Sequence, residues 1–207
     1  MRDLILKMSV SIDGFVGGPA GELDWIFATP DDRATAWTVA SVSNAGVHVM
    51  GSRTFADMAA YWPTATGPFA APMNDIPKVV FARGGAPAAT TRALEQARQH
   101  SPGPTAEPTA RVAASWRDAR VAAGPLADEV ARLKAEPGQP IFAHGGSLFA
   151  QSLVRADLVD EYRLLVHPVA LGRGKPLFAS LDARRDLALV DLQRFDAGTV
   201  ALVYRRR

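Results

Sequence analysis

Short apolar runs alternate with segments of helical periodicity along most of this 207-residue chain. The apolar runs predict buried strands at 4–10, 45–51, 78–83 and 160–171. The periodic segments predict helices at 31–45, 52–62 and 126–136, and a further helix in "SLFAQSLVRA" after the strand and turn of "PIFAHGG". This alternation predicts an α/β fold whose mainly parallel sheet is covered by helices on both faces.

The C-terminal part of the chain has a different pattern, because two strand-like runs follow each other directly. "DLALVDLQRF" and "TVALVYRR" flank "DAG" (196–198), which predicts a hairpin at an antiparallel edge of the sheet. Residues 84–110 are rich in proline and small residues and predict a surface insertion, and "ARVAAS" (110–115) is a weak strand candidate. Since the alternation resumes after the insertion, we expect a single domain over 1–207.

Composition excludes several classes of protein and site. The chain has no cysteine, which rules out disulfides, thiolate metal sites and a cysteine nucleophile. The net charge of +2 includes a terminal "YRRR", interpreted as a solvated chain end, and no basic and aromatic stripe indicates nucleic-acid binding. Neither a signal-peptide core nor a run of roughly 20 apolar residues is present, so we expect no membrane partner and a cytoplasmic location.

Two adjacent glycines stand where a predicted strand leads into a predicted helix. Gly145 and Gly146 permit a tight turn, and they also let a phosphate approach the backbone at the N-terminus of the helix. Ser147 adds a hydroxyl donor at the same place. From these residues alone, a turn and an anion site both remain open interpretations.

Two arginines support the interpretation of an anion site. Arg53 follows Gly51 and Ser52 at a predicted helix start, where the helix dipole favours acidic residues, so an anionic ligand would remove the conflict. Arg83 comes directly after the third predicted strand. Both are also compatible with exposed arginines that pair with a neighbour. Two arginines at strand ends suit a nucleotide 2′-phosphate better than a bare ribose.

Several motifs in order resemble one known group of proteins. "MSVSIDGFVGG", "LDWI", "VHVMGSRTF", "KVVFAR", "HGGSLFAQSLV" and "LVDEYRLLVHPVALGRGKPLF" together are similar to the dihydrofolate reductase-like superfamily. The resemblance is to the branch that contains the C-terminal reductase domain of riboflavin-biosynthesis enzymes and its stand-alone relatives. It covers the chain from about residue 4 to 206 and leaves the insertion aside.

The resemblance implies a three-layer α/β/α fold, a mostly parallel central sheet with an antiparallel C-terminal strand, and NADPH as the cofactor. It assigns the cofactor's phosphates to Gly51, Ser52, Arg53 and Thr54, its 2′-phosphate to Arg83, and its pyrophosphate to Gly145, Gly146, Ser147, Leu148 and Phe149. The loop that contains Gly14 would cover the nicotinamide. Relatives often carry arginine directly after the glycine of the second motif, where this chain has Ser52, so a preference for NADPH over NADH stays open.

Reduction by hydride transfer also requires a proton, which a carboxyl group or an ordered water commonly delivers. Asp31 and Asp32, at the start of the helix after "LDWIFATP", are the candidate catalytic acids, and helix N-capping is their alternative role. Asp13 is expected to shape the turn before Gly14. His144 and His167 are interpreted as core or edge histidines rather than metal ligands.

The sequence therefore predicts an NADPH-dependent reductase of a small heterocyclic substrate. The alternative is a non-catalytic nucleotide-binding or sensing protein on the same fold. A riboflavin-pathway reductase is a narrower variant, for which the chain lacks a fused deaminase domain. In the resembled family the glycine-rich segment 167–178 is a bulged strand and loop near a dimer contact, which predicts a homodimer.

Overall fold

A computed structural model describes residues 1–82, 95, 114–179 and 181–207. Its strands are β1 Leu4–Ser11, β2 Val47–Gly51, β3 Lys78–Phe81, β4 Arg120–Ala122, β5 Ile141–Ala143, β6 Glu161–His167, β7 Leu187–Arg194 and β8 Val200–Arg206. Its α-helices are α1 Asp32–Ser43, α2 Ser52–Tyr61, α3 Ala70–Asp75, α4 Ala114–Arg117, α5 Leu126–Ala135 and α6 Ser147–Arg155. Two 3-10 helices cover Asp24–Phe27 and Trp62–Thr64.

The strands belong to one mixed eight-stranded sheet, and the chain divides into two compact units. The first unit comprises Met1–Arg2 and Val39–Phe142, and the second comprises Asp3–Thr38 and Ala143–Arg207. Strand order is β4-β3-β2-β5 for the first unit and β1-β6-β8-β7 for the second. These observations confirm the predicted α/β class.

In the first unit, β2 and β4 both run parallel to β3. The apolar run "VVF" makes β3 fully buried, as parallel strands covered on both faces require. Trp116 in α4 is also fully buried and stacks obliquely on Phe55 of α2, with ring centroids 5.6 Å apart. The core of this unit therefore packs helices on the parallel strands.

In the second unit, β1 and β6 are parallel over seven consecutive residue pairs, and β8 is antiparallel to both β6 and β7. A core cluster of Ala34, Leu165, Phe195 and Ala201 packs the first turns of α1 onto this sheet, with Trp37 against it. The predicted C-terminal hairpin is confirmed, since Phe195 and Thr199 close it by a backbone hydrogen bond of 2.9 Å.

Most predicted elements are confirmed, and one is wrong. Within the weak strand candidate 110–115, Ala114 and Ser115 begin α4, and the strand of this region is β4, which begins at Arg120. Only Asp118 and Ala119 separate the helix from the strand, so the strand begins five residues after the end of the predicted segment. The rest of that candidate and the predicted insertion lie outside the described residues, apart from Glu95.

Within the part of the chain that the structure describes, no helix combines the length and the apolar character needed to cross a membrane.

Glu129 in α5 is a buried carboxylate that stabilises the first unit. Its side chain is only 2% exposed and accepts hydrogen bonds from Arg120 (2.9 Å), Arg132 (2.7 Å) and the Gly124 N–H (3.2 Å). These contacts, above all the bond from Arg120, hold the pKa of Glu129 below its usual value of 4.5. A lowered pKa means that the stabilisation is present above pH 4.5 and is lost as the pH falls through the folded-state pKa.

We expect Glu129→Ala to lower the free energy of unfolding by about 2–3 kcal/mol at pH 7, because it leaves the Gly124 N–H and two arginines without their acceptor. Urea unfolding measures this change. Glu136→Ala is the matched control, because Glu136 pairs with Arg2 through a side chain that is 54% exposed; its cost should stay below about 1 kcal/mol. Equal losses for the two variants would contradict the assignment.

Candidate functional site

The carboxyl ends of β1 and β6 lie side by side in the second unit. Ser11, the last residue of β1, is the register partner of His167, the last residue of β6. Ligands of open α/β sheets bind beyond this edge, where loops connect the strands to the next elements. We name the two loops that leave it the glycine loop (12–23) and the proline loop (168–178).

The Gly145–Gly146 turn connects β5 to α6 through two residues with positive φ, +82° and +37°. A Cβ added to Gly145 would lie 2.7 Å from the sulfur of Met8, so a side chain there would require the Met8 thioether to shift, and the positive φ disfavours any residue with a Cβ. Helix α6 has no side-chain cap. The first N–H groups of a helix have no intrahelical partner. The first helical turn contains Ser147, Leu148 and Phe149, and the positive end of the helix dipole makes this turn electrostatically suited to an anion.

A second helix start of this kind lies in the first unit. Gly51 ends β2 and is the N-cap of α2, and no side chain caps this helix either. Its first turn contains Ser52, Arg53 and Thr54 and no acidic residue. Arg53 is exposed and forms no ion pair within the described part of the chain. A cation at a helix N-terminus without a paired acid is suited to an anionic group.

The predicted contact of Arg83 with the 2′-phosphate lies outside the described residues. The structure describes β3 up to Phe81 and the following Ala82. The role of Arg83 therefore stays a prediction.

Asp13 connects the glycine loop to the proline loop. Its Oδ1 accepts hydrogen bonds from the Ser11 hydroxyl at 2.6 Å and the Leu171 N–H at 3.2 Å, and its Oδ2 accepts from the Gly172 N–H at 2.7 Å. The bond from Ser11 is the main reason that the pKa of Asp13 is lowered. The carboxylate is therefore a structural acceptor, and it shapes the turn before Gly14, where φ is +87°.

The two loops are also joined through their backbones. Val16 N–H donates to the Lys175 carbonyl and Lys175 N–H to the Gly17 carbonyl, each at 2.8 Å. An isolated antiparallel bridge joins Phe15 and Pro176. The Gly14 carbonyl accepts from Leu177 N–H at 3.1 Å. The glycine loop is thus held along its length against the proline loop.

Both carboxylate oxygens of Asp31 are occupied by backbone donors. Oδ1 accepts from the N–H groups of Arg33 and Ala34, and Oδ2 accepts from Ala197 N–H, all at 2.9 Å. The bond from Ala197 is the largest cause of the lowered pKa of Asp31. This geometry gives Asp31 the capping role, in which it ties α1 to the β7–β8 turn. Asp32 is exposed in the first turn of α1, and proton delivery by either acid stays a prediction.

Lys7 and His167 are polar groups of the second unit that the sequence analysis did not assign to the site. Lys7 alternates with Ser9 and Ser11 on one face of β1, and burial lowers its pKa to about 8. Among the described residues, no hydrogen bond or ion pair occupies its amine. The period-two alternation of Leu4, Leu6, Met8 and Val10 with these polar residues is the sequence signal for this polar face.

His167 is 3% exposed and lies beside this face. Its Nδ1 is 3.4 Å from the Thr29 hydroxyl, and its ring packs edge-on against Trp25 with centroids 5.4 Å apart. Burial, and then the charge of Lys7, lowers the pKa of His167 to about 4. The edge thus combines a neutral imidazole with an amine that titrates near neutrality, a pair able to hydrogen-bond a polar heterocycle.

Residues 2–201 match the family model of the RibD C-terminal domain. The chain belongs to this family. This chain is also similar to the uncharacterized protein YyaP of Bacillus subtilis (strain 168), with 29% identity over 203 residues, or 98% of this chain and 94% of YyaP.

Solved structures with the same fold as this RibD C-terminal domain include a putative riboflavin biosynthesis protein from Shewanella sp. PV-4. It matches with a TM-score of 0.70 and 21% identity over 100% of this chain and 99% of the other. Dihydrofolate reductase from Enterococcus faecalis, complexed with NADP(H), matches with a TM-score of 0.54 and 14% identity. The match covers 99% of this chain and 96% of the dihydrofolate reductase chain. The chain therefore has a reductase-type fold, and the superfamily indicated by its motifs is confirmed.

We expect Gly145→Ala to lower the free energy of unfolding by more than Gly67→Ala. Both glycines have positive φ, but nothing lies within 4 Å of a Cβ at Gly67, whereas Met8 blocks Gly145. Conformational strain should cost about 1 kcal/mol at each position, and the collision should add about 1–3 kcal/mol at Gly145. Thermal unfolding of both variants measures the difference, and equal costs would argue against a crowded turn.

We expect Asp13→Ala to loosen both loops, because it removes two hydrogen bonds that join them and a third from Ser11 at the end of β1. Amide hydrogen exchange at Gly172, Val16 and Leu177 should accelerate by about tenfold or more, since each lost hydrogen bond contributes about 1 kcal/mol. Asp196→Ala is the control, because Asp196 forms only an exposed 3.4 Å pair with Arg33. Unchanged exchange in the proline loop of Asp13→Ala would contradict the proposed connection.

Proposed function

We propose that this protein is an NADPH-dependent reductase that transfers a hydride to a small heterocyclic, pterin- or pyrimidine-like substrate. The observation that carries the proposal is the Gly145–Gly146 turn, where two positive φ angles favour glycine and the chain enters α6, a helix without a side-chain cap. Such a turn before a helix is a common pyrophosphate site. The reductase-type fold supports the same conclusion.

The cofactor in this proposal follows from the site chemistry and from the relatives. The Enterococcus faecalis dihydrofolate reductase of the same fold is complexed with NADP(H). In our chain, the first turn of α6 would hold the pyrophosphate, and the first turn of α2 would hold phosphate oxygens through Ser52 and Thr54. Arg53, without an acidic partner among the described residues, would face the 2′-phosphate together with Arg83. NADPH supplies the hydride when it is bound.

Lys7 is the residue of this chain that is best suited to contact the substrate and neutralise its charge. A hydride added to a C=N or C=C bond of a heterocycle leaves negative charge on the substrate, which is neutralised by a nearby cation or proton donor. The amine of Lys7 is protonated below its pKa of about 8 and has no partner among the described residues. His167, neutral at pH 7, would act as a hydrogen-bonding group rather than as an acid.

A second function is favoured by one specific observation. Asp31, a candidate proton donor, uses both carboxylate oxygens to accept backbone hydrogen bonds. A protein that binds a nucleotide without reducing a substrate would need no proton donor at this place. Nucleotide binding or sensing is therefore the alternative function of the same fold.

Cofactor binding tests the proposal directly. Fluorescence titration of the full chain should show saturable binding of NADPH, and Arg53→Ala should weaken NADPH binding by about tenfold or more while changing NADH binding little, because NADH lacks the 2′-phosphate. Arg155→Ala, which removes an exposed arginine from the last turn of α6, should change neither affinity.

The outcomes separate the two functions. Failure to bind either nucleotide would refute both, and equal losses for NADPH and NADH would refute the contact of Arg53 with the 2′-phosphate. Oxidation of NADPH, followed at 340 nm with a panel of pterins and ribosylamino-pyrimidines, would support the reductase. Tight binding without oxidation across that panel would favour the sensor.

A further inference from the structure

A cavity of about 680 Å³ opens at the amino ends of three parallel strands in the first unit. Val47, Lys78 and Arg120, which begin β2, β3 and β4, line it together with Ser115 of α4. Gly51 and the first turn of α2 lie at the other end of β2. The cavity is therefore separate from the helix start assigned to cofactor phosphate, and the reductase proposal gives it no role.

A hydroxyl and an amine meet in the wall of this cavity. The Nζ of Lys78 is 2.5 Å from the Oγ of Ser115, a short hydrogen bond between residues 37 positions apart in the chain. Lys78 is 2% exposed, whereas Ser115 is only partly buried. A nucleophile with a base within hydrogen-bond reach is the basic arrangement of serine hydrolases, including those in which lysine is the base.

The surrounding groups fix both side chains in place. The Lys78 amine also donates to the Ile76 carbonyl at 2.6 Å and lies 4.4 Å from the centroid of the Trp116 ring. The Ser115 hydroxyl donates to the Asn74 carbonyl. The Asn74 side chain is fully buried, where its Oδ1 accepts from the Trp116 indole at 2.8 Å and its Nδ2 donates to the Trp62 carbonyl at 2.9 Å. The Ile76 carbonyl and the Trp116 ring thus orient the base, and Asn74 holds both Ser115 and Trp116.

The environment also favours the basic form of the amine. Burial lowers the pKa of Lys78 from 10.5 to about 7, and the nearby charge of Asp75 opposes this shift only in part. Comparable amounts of neutral and protonated amine are therefore present at neutral pH. A general base is most effective when its pKa lies near the working pH.

We propose that Ser115 and Lys78 form a nucleophile and general-base pair that hydrolyses small acyl esters in this cavity. The substrate class follows from the groups present, since a serine nucleophile attacks an acyl carbon and no cysteine or metal is required. Arg2 and Arg120 line the same cavity, and each is paired with a glutamate, Glu136 and Glu129 respectively.

The reaction balances without a co-reactant other than water. The Ser115 hydroxyl first turns from the Asn74 carbonyl to the neutral Lys78 amine. Its Oγ then forms a bond to the acyl carbon as the proton passes to Lys78, and collapse of the tetrahedral intermediate breaks the ester C–O bond. The leaving alkoxide takes the proton from Lys78. Water then attacks the acyl-serine, gives its proton to Lys78, and the Ser115 oxygen recovers that proton as the carboxylic acid leaves.

A covalent probe tests the pair without a known substrate. The full chain is incubated with a small alkyl fluorophosphonate, and the adduct is located by peptide mass spectrometry. We expect an adduct on Ser115, with a labelling rate that rises through pH 7 in the unmodified protein as Lys78 loses its proton. Hydrolysis of p-nitrophenyl acetate should show the same pH dependence.

Variants separate catalysis from folding. Ser115→Ala should abolish labelling, and Lys78→Met should slow it about 100-fold, the size of a typical general-base contribution. Ser43→Ala is the control, because Ser43 is an exposed helical serine bonded to the Val39 carbonyl at 2.8 Å. Circular dichroism checks that each variant is folded.

Three results would overturn the proposal. The first is the absence of a phosphonyl adduct on Ser115, and the second is an adduct on Lys78 in place of Ser115. The third is a labelling rate that stays constant between pH 6 and 9 in the unmodified protein. NADPH titration is independent of all three, so the reductase proposal is tested separately.

Discussion

The parallel pairing of β1 with β6 is the constraint on which the second unit depends. Seven consecutive residue pairs fix the register from Ile5 with Glu161 to Ser11 with His167. A slip by one residue would turn the buried side chains of β1 toward the wrong face, so the apolar alternation in "LILKMSV" enforces this register. The same pairing brings the first residues of the glycine and proline loops together. Every contact between those loops follows from it.

Buried amines give the molecule much of its chemical character. Lys7 and Lys78 lie in different units, and burial lowers the pKa of both, to about 8 and about 7. Removing a charged amine from water costs free energy, and a fold keeps such a group when other contacts compensate for it or when the group has a function. Lys78 has two oxygen acceptors and an aromatic ring as compensation. Lys7 has no such partner among the described residues, which is the stronger indication of a ligand.

Much of the fold could be predicted from local patterns, because most of the longer strands and helices show the hydrophobic period of their own type. The turn at Gly145–Gly146 was also predictable, since adjacent glycines before a helical pattern have few other uses. The capping role of Asp31 was foreseen as an alternative. Its decisive contact, with Ala197, joins residues 166 positions apart and depends on how α1 meets the β7–β8 turn. No local pattern carries that information.

The proximity of Lys78 and Ser115 was unpredictable for the same reason. Ser115 lies in a four-residue helix that the sequence suggested as part of a strand, and α3 was not predicted at all. Lys7 differs, because its alternation with Ser9 and Ser11 was visible. The sequence did not show how deeply Lys7 is buried, since the same alternation occurs on a solvated face and on a buried one.

The contacts between the glycine loop and the proline loop affect how the sequences of the two loops evolve and how ligands enter at this edge of the sheet. Gly174 approaches so closely that a Cβ there would lie 2.3 Å from the Gly17 carbonyl oxygen, and Gly21 similarly faces the Lys175 amine. A longer or bulkier residue in one loop is therefore acceptable only with a compensating change in the other, so the pair should vary as one inherited block. For the same reason, we expect the two loops to form a rigid entrance that selects ligands by size, rather than a mobile loop that opens when a ligand binds.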